Sequence, residues 1–597
     1  MYPEVNPRVE YRERLDARQA EVGAQERASR RIGNVRLLVA IAGVAVAFFV
    51  FGETVLSPWW LIPPAAVFTG LVVIHSQIEE RLERARRAAQ FYQSGLDRME
   101  GRWIGHGERG ERFANAGHIY ADDLDLFGKG GLFELLSTAR TRPGEDTLAS
   151  WLLAPAAWEQ VTARHQAVAE LRSRLDLRED FAILGETARA EMKAETIAAW
   201  GEAPPVVLPD WLRPLAALLC AAVLVTLSLY MAQVTRRTPV LGALFLVLAV
   251  TLVFRSKADQ IANRVEASEH DLELLSALVG RFERETFTSP CLEALSQRIR
   301  TAGRPASVEI AKLRGLVERL DWEHNVFFRP IAAALLWRLQ VAIAVERWRA
   351  RSGPAIRDWL TAVGEFEALL AISGYSFEHP ADPFPEVSQE KGWFQAEGLG
   401  HPLMAEESCV RNDVQLGGPL RLLVVSGSNM SGKSTLLRSV GLNTVLAWAG
   451  APVRAQRLVV APVSLGVSIR ILDSLQDGKS RFYAEITRIR EIVDLTAGPR
   501  PVLFLMDEML SGTNSHDRRI GAEAIVRSLV DRGAIGMITT HDLALADIAS
   551  SLGTGAANVH FADTLVEGKL HFDYRLHPGV VERSNALELM RAVGLRV

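Results

Sequence analysis

At 597 residues the chain is too long for one hydrophobic core and divides into several domains. A formal net charge of -4, with 23% charged residues, rules out a globally basic nucleic-acid-binding chain and leaves that role to local basic patches. Cys220, Cys291 and Cys409 stand far apart with no CxxC pair, which favours reduced thiols over a metal or disulfide site.

No secretory leader is expected, because the first apolar run begins near residue 37, behind a long charged segment. Residues 1–36 read as a charged cytoplasmic helix. Four segments then lack charge over nearly a membrane-crossing length: Leu37–Gly52, Trp59–His75, Pro214–Met231 and Pro239–Phe254. They come in two close pairs, which predicts two transmembrane helical hairpins, at 37–76 and 214–254. Arg27, Arg30, Arg31 and Arg36 precede the first run, and Arg81, Arg84, Arg86 and Arg87 follow the second. Arg255, Lys257 and Arg264 follow the fourth. By the positive-inside rule both termini and the middle of the chain face the cytoplasm, in a multi-pass protein of the inner cell membrane. Arg236 and Arg237, in the second outer loop, run mildly against that rule. The interiors of the runs hold no Asp, Glu, Lys or Arg, so no charged transport path is expected.

Between and after the hairpins, residues 77–213 and 255–389 read as mostly helical. From 390 to 597 short β-rich runs alternate with helical segments, which predicts a parallel α/β sheet. The expected fold is thus an α/β P-loop ATPase domain, preceded by a mostly α-helical core that carries two transmembrane hairpins.

The chemistry lies in that last region. "GSNMSGKS", Gly427–Ser434, fits G-x-x-x-x-G-K-[ST] between an apolar strand at Leu422–Val425 and a helix at Thr435–Ala447. Gly427 and Gly432 let the loop curl so that the backbone N–H groups of Ser428, Asn429, Met430, Ser431 and their neighbours, through Thr435, cradle phosphate. The following helix N-terminus adds partial positive charge. Lys433 is placed to reach the β- and γ-phosphates of ATP, and Ser434 to put its hydroxyl on Mg²⁺. "PVLFLMDE" is a buried-type strand that ends in Asp507, a second Mg²⁺ ligand, and Glu508, which orients or deprotonates the attacking water. A further strand, Ala534–Ile538, delivers His541 as a γ-phosphate contact.

Together these residues resemble the MutS family, a branch of ATPases related to ABC proteins. The family loop reads roughly T-G-P-N-M-[GS]-G-K-S-T, and "SGSNMSGKST" matches it at Asn429, Met430, Gly432, Lys433, Ser434 and Thr435, with Ser428 in the usual proline place. "HPLMAEESCVRNDVQL", "DGKSRFYAEITRI" and "DEMLSGTNSHDR" agree in order, with Arg481 where Thr is usual. The resemblance covers most of 118–375 and all of 390–597. It implies a homodimer with Mg-ATP in composite sites, where Ser480 of one subunit caps the γ-phosphate bound to the other and Asn514 and Ser515 lie at the seam. Mismatch-recognition members carry an N-terminal Phe-x-Glu wedge, for which this chain has no room. Two functions therefore stand open: a membrane-tethered ATPase that binds DNA, or one that moves a protein partner or its own hairpins without DNA. The basic runs "RLERARRAAQ" and "QRIRTAGRPASVEIAKLRGLVER" serve either nucleic acid or anionic lipid.

Overall fold

The computed structural model describes residues 6–52, 56–301, 303–470, 481–510, 512–541, 543–566 and 569–581. The chain forms two compact units, both discontinuous in sequence. One comprises Met1–Ser137, Ala149–Ile183 and Ala371–Val597, the other Thr138–Leu148 and Leu184–Leu370.

The first unit opens with a helical hairpin. Helix α1 (Pro7–Phe51) begins at the N-cap Asn6, whose side chain accepts from the Arg8 N–H, with proline at the first helical position. Helix α2 (Ile62–Met99) returns beside it. Each joins an apolar half to a charged half without a break, so the charged N-terminal segment and the first apolar run are one helix. The apolar halves are almost wholly exposed, while the charged halves bury a seam of Tyr11, Leu15, Phe91, Tyr92 and Leu96 against Leu175 and Phe377. Gly95 is there because an added Cβ would lie 2.3 Å from the Tyr11 ring. Arg98 Nε donates to Glu378 Oε2 at 2.8 Å, and the Tyr11 hydroxyl donates to Glu378 Oε1 at 3.3 Å. The hairpin base is thereby tied to the segment that leads into the C-terminal domain.

Among its described residues the second unit holds helices and one ribbon of two short strands, Arg300–Thr301 with Arg304–Pro305. Helices α3 (Leu212–Met231) and α4 (Thr238–Glu266) form its apolar hairpin. Helices α5 (Arg329–Ala334) and α6 (Trp337–Ser352) follow later in the chain, separated by Leu336 at φ 50°. The helical part is knit by Arg349, whose guanidinium donates to the carbonyls of Trp200 at 3.1 Å and Pro204 at 3.0 Å, and by Trp348, whose indole N–H donates to the Glu309 carbonyl. Among the described residues, four helices are long and apolar enough to cross a membrane: α1, α2 with its leading turn from Pro58, α3 and α4.

The C-terminal domain belongs to the first unit. A four-stranded sheet contains β1 (Phe394–Leu399), β2 (Asn412–Leu416) and β4 (Arg457–Val460), with Glu386–Val387 on its edge. The main sheet holds β3 (Leu422–Ser426), β5 (Ser464–Ser468), β6 (Val502–Met506), β7 (Ile535–Thr540), β8 (Ala556–Val566) and β9 (Lys569–Pro578). Its order is β9-β8-β3-β7-β6-β5, parallel except for β9. Strands β3, β6 and β7 are buried along their whole length, which is why they read as apolar runs up to the polar residues Ser426, Thr539 and Thr540 at the ends of β3 and β7. Helices α7 (Lys433–Ala449), α8 (Arg481–Asp494) and α9 (Ser515–Asp531) accompany the sheet. Residues before the helical core also join this domain: Asp123 accepts from the N–H groups of Ile469 and Arg470, and Arg438 donates to Asp125 at 2.7 Å.

Candidate functional site

The site lies where the carboxyl ends of β3, β7 and β6 meet α7, at the C-terminal edge of a parallel sheet. Strand β3 ends at Ser426, one residue later than the sequence pattern predicts, and α7 starts at Lys433, two residues earlier. Between them Gly427 and Gly432 sit at φ 152° and 107°, a conformation that a side chain resists, and Met430 at φ 69° is pushed out, 87% exposed.

Lys433 curls back over this loop, and its Nζ donates to the carbonyls of Gly427 at 2.8 Å and Ser428 at 2.9 Å. Burial pushes its pKa down, opposed by the carboxylates of Glu508 and Asp507. The hydroxyls of Ser428 and Ser431 are buried and have no hydrogen-bond partner among the described residues. Such orphaned donors suit a multi-oxygen anion, since unmet buried polar groups are costly. Ser434 Oγ donates to Asp507 Oδ2 at 2.5 Å. One hydroxyl and one carboxylate side by side are hard oxygen donors of the kind Mg²⁺ takes alongside phosphate oxygens. Among the described residues no group of three or more His, Cys, Asp or Glu could hold a metal without such help.

The strand order adds a residue that the sequence reading missed. Strand β7 lies between β3 and β6, so Thr539 stands beside Asp507. Its hydroxyl donates to Asp507 Oδ1 and accepts from the Glu508 N–H at 3.0 Å. It is 1% exposed. The signal was in "TTHD" itself, two positions ahead of His541, but nothing local to the motif fixes which strand flanks it. Glu508 takes φ 49°, an unfavourable left-handed conformation for a carboxylate residue, which turns its side chain off the strand line. Its Oε1 lies 3.5 Å from His541 Nδ1, and both side chains are partly exposed.

Beside these groups lies a cavity of about 530 Å³ lined by the whole Asn429–Leu436 stretch, Glu508, His401, Asn412, Phe561 and Tyr574. Phe561 and Tyr574 come from β8 and β9, whose antiparallel ribbon folds over the loop so that a Cβ on Gly432 would approach the Tyr574 ring at 3.4 Å. Asn412 fastens that ribbon, donating to the Tyr574 carbonyl at 3.0 Å and accepting from the Leu576 N–H at 2.7 Å. No sequence motif marked either ring. Burial holds the His401 imidazole down at about 4, so it stands neutral beside the cavity near pH 7.

The residues expected from a partner subunit divide. Ser480 lies outside the described residues. Asn514 caps α9, accepting from the Asp517 N–H at 2.9 Å, and both it and Ser515 are exposed. They do not line this cavity. The neighbouring loop is braced by Glu485 of α8, which accepts from the Leu510 N–H.

A helical region followed by an α/β domain, with hydroxyl, lysine and carboxylate groups gathered at the strand ends, is the architecture of an ATPase-type domain. Residues 423–596 match the family model of MutS domain V. That stretch is thus similar to the C-terminal domain of MutS-family proteins. It is 31% identical over 292 residues to the DNA mismatch repair protein MutS of Natronomonas pharaonis, covering 48% of this chain and 31% of that one. It is 31% identical over 272 residues to the DNA mismatch repair protein MSH6 of Arabidopsis thaliana, covering 40% of this chain and 19% of that relative. With the endonuclease MutS2 of Thermus thermophilus the identity is 34% over 197 residues, 33% of this chain and 25% of that protein. The chain thus spans about a third or less of the length of these curated relatives.

Proposed function

We propose that this chain is a membrane-anchored, MutS-type ATPase that binds Mg-ATP in the cavity above β3 and hydrolyses it between two copies of itself. The observation that carries the reading is the convergence of Lys433, Ser434 and Glu508 on one cavity, with Asp507 hydrogen-bonded to Ser434 and two serine hydroxyls of the loop left without a partner among the described residues.

Lys433 lets go of the Gly427 and Ser428 carbonyls and follows the β- and γ-phosphates, so its charge is held ready by the loop it serves. Ser434 and Asp507 would hold Mg²⁺, which when bound would neutralise charge on the phosphate oxygens. Glu508 accepts a hydrogen bond from the attacking water and lines it up with the γ-phosphorus. His541, close to Glu508, contacts the γ-phosphate and reports its loss. Ser480, Asn514 and Ser515 complete the site from the second copy. The α1–α2 and α3–α4 hairpins anchor the assembly in the inner membrane with the ATPase domain in the cytoplasm.

Two of the similar proteins are named for DNA mismatch repair, so nucleic acid is the first partner to test. The four exposed apolar helices favour a second reading, in which the cycle moves a protein partner or the hairpins themselves. Lys433→Ala should abolish ATP binding, measured with a fluorescent nucleotide, whereas Glu508→Gln should keep binding and lose turnover. Unchanged hydrolysis in Glu508→Gln would remove the role given to that residue. Duplex, mismatched and branched DNA added at low salt to the detergent-solubilised protein should raise ATPase activity if DNA is the partner. No response to any of them would favour the second reading.

A further inference from the structure

Between the charged helices of the second unit lies a short apolar stretch, "DWEHNVFFRPIAAALLWRL", that no membrane-length criterion selects. Its side chains are turned outward to an unusual degree: Phe327 is 89% exposed, Val326 80%, Trp322 54% and Ile331 51%. These are large apolar groups on a single turn and the start of α5, a clustering that marks a surface made to be covered.

Its position tells by what. The turn after α5 is docked on α3: Cys220 Sγ donates to the Leu335 carbonyl at 3.0 Å, and Gln340 Nε2 donates to the same carbonyl at 2.8 Å. Cys220 lies seven residues past Arg213, the last charged residue before the apolar run, hence about 10 Å along the helix. Trp211 and Phe254, whose rings meet at 6.1 Å, mark the level where the α3–α4 hairpin leaves its charged flank. Arg338 reaches the other way, pairing with Asp259 at 2.7 Å beyond Phe254. The segment therefore straddles the level at which the hairpin changes from charged to apolar. Aromatic rings collect there: Trp322 stacks on Trp337 at 5.8 Å, and Phe328 meets Trp337 edge-on at 5.2 Å. Such amphipathic aromatics favour the headgroup layer.

A cleft of about 670 Å³ opens beside this segment, with Leu248 and Leu252 of α4 on its apolar side and Arg255, Arg329 and Arg338 on its polar side. Arg338 is matched by Asp259 and Glu323, and Arg255 stands 3.6 Å from Asp259. Arg329 has no ion pair among the described residues. Cationic groups beside an aliphatic wall match a phosphate on an acyl chain.

We propose that Trp322–Leu336 is a third membrane contact of this unit, an interfacial element whose Val326 and Phe327 insert among acyl chains. In the same arrangement Arg329 and Arg255 hold the headgroup phosphate of an anionic phospholipid in the cleft. This rests on the membrane reading of the α3–α4 hairpin, and the test separates the two. The full-length protein, with Cys291→Ala and Cys409→Ala, would carry Phe327→Cys or, as the hairpin reference, Phe245→Cys, a position 69% exposed on α4. Each cysteine would be labelled with an environment-sensitive fluorophore after reconstitution into phosphatidylcholine vesicles, with or without phosphatidylglycerol.

Quenching by spin-labelled lipid at both positions is expected. Phosphatidylglycerol should raise it about two-fold at position 327, an increment that Arg329→Gln abolishes. Lipid quenching at 245 with iodide quenching at 327 would overturn the proposal and leave the hairpin in the membrane. Shielding of 327 from both quenchers would overturn it in favour of a protein partner or a second copy. Iodide quenching at both positions would overturn the membrane reading, and this proposal with it.

Discussion

Thr539 shows how much of the site depends on one hydroxyl that does not meet the ligand. It donates to Asp507 and accepts from the Glu508 backbone, so a single side chain fixes the carboxylate and the turn after it. Thr539→Val keeps the shape and removes both bonds. Turnover should fall by about ten-fold or more, with the Mg²⁺ dependence shifted to higher concentration, while Thr539→Ser restores most of it. Steady-state ATPase assays across a magnesium titration decide this. The loop that carries Lys433 and Ser434 and the strand that ends at Asp507 and Glu508 were legible in the sequence because each is a local motif. Thr539, Phe561 and Tyr574 were not, because their places depend on which strands flank β3, and pairing between distant strands leaves no local mark.

A second residue is read through its titration. Glu367 is buried in the helical unit, where the N–H groups of Arg140 and Thr141 donate to it, and burial still pushes its carboxyl up to about 7. The unfolded carboxyl titrates near 4.5, so between there and about 7 the folded state binds the proton more tightly. Its stabilising contribution is full below that window and is lost as pH rises through about 7. Thermal unfolding between about pH 5 and about pH 8 should show the wild type losing stability, with Glu367→Gln flattening the profile. An unchanged slope in the variant would count against this assignment.

At the scale of elements, the base of the α1–α2 hairpin carries a buried ion pair whose partners are 280 residues apart. The Glu378 side chain is 1% exposed and Arg98 12%. Arg98→Ala leaves a buried carboxylate without its cation and should cost about 3–5 kcal/mol, read as lowered thermal stability of the full-length protein. Tyr11→Phe, which removes one donor and keeps the ring packing, should cost about 1 kcal/mol. The helices themselves were legible from their apolar and charged halves, and so was the continuation of α2 past its apolar run, but the continuity of α1 was not. A charged segment and an apolar run look like two elements in composition, whereas the backbone hydrogen bonds of a helix are indifferent to that change of surface. The pairing of Tyr11 with Glu378 was beyond reach, because no periodicity links positions so far apart.

For the whole molecule the membrane reading makes a direct demand. Four apolar helices that bury little of their own surface should keep the protein in the pellet after high-salt and alkaline washes of a membrane fraction. Release by either wash would remove the transmembrane assignment. The alternation of strand and helix from residue 390 onward marked the α/β class in advance. The grouping of the N-terminal hairpin with the C-terminal domain was hidden, since sequence order places a helical unit between them.

That grouping also bears on how the protein is born. Tyr11 and Arg98 leave the ribosome long before Glu378 is synthesised. At about 5–20 residues per second the interval is on the order of tens of seconds. The hairpin base must therefore wait, half-finished and wet, while an entire helical unit is translated. A bilayer that already holds the apolar halves of α1 and α2 would keep the nascent stem in register until its closing partner arrives.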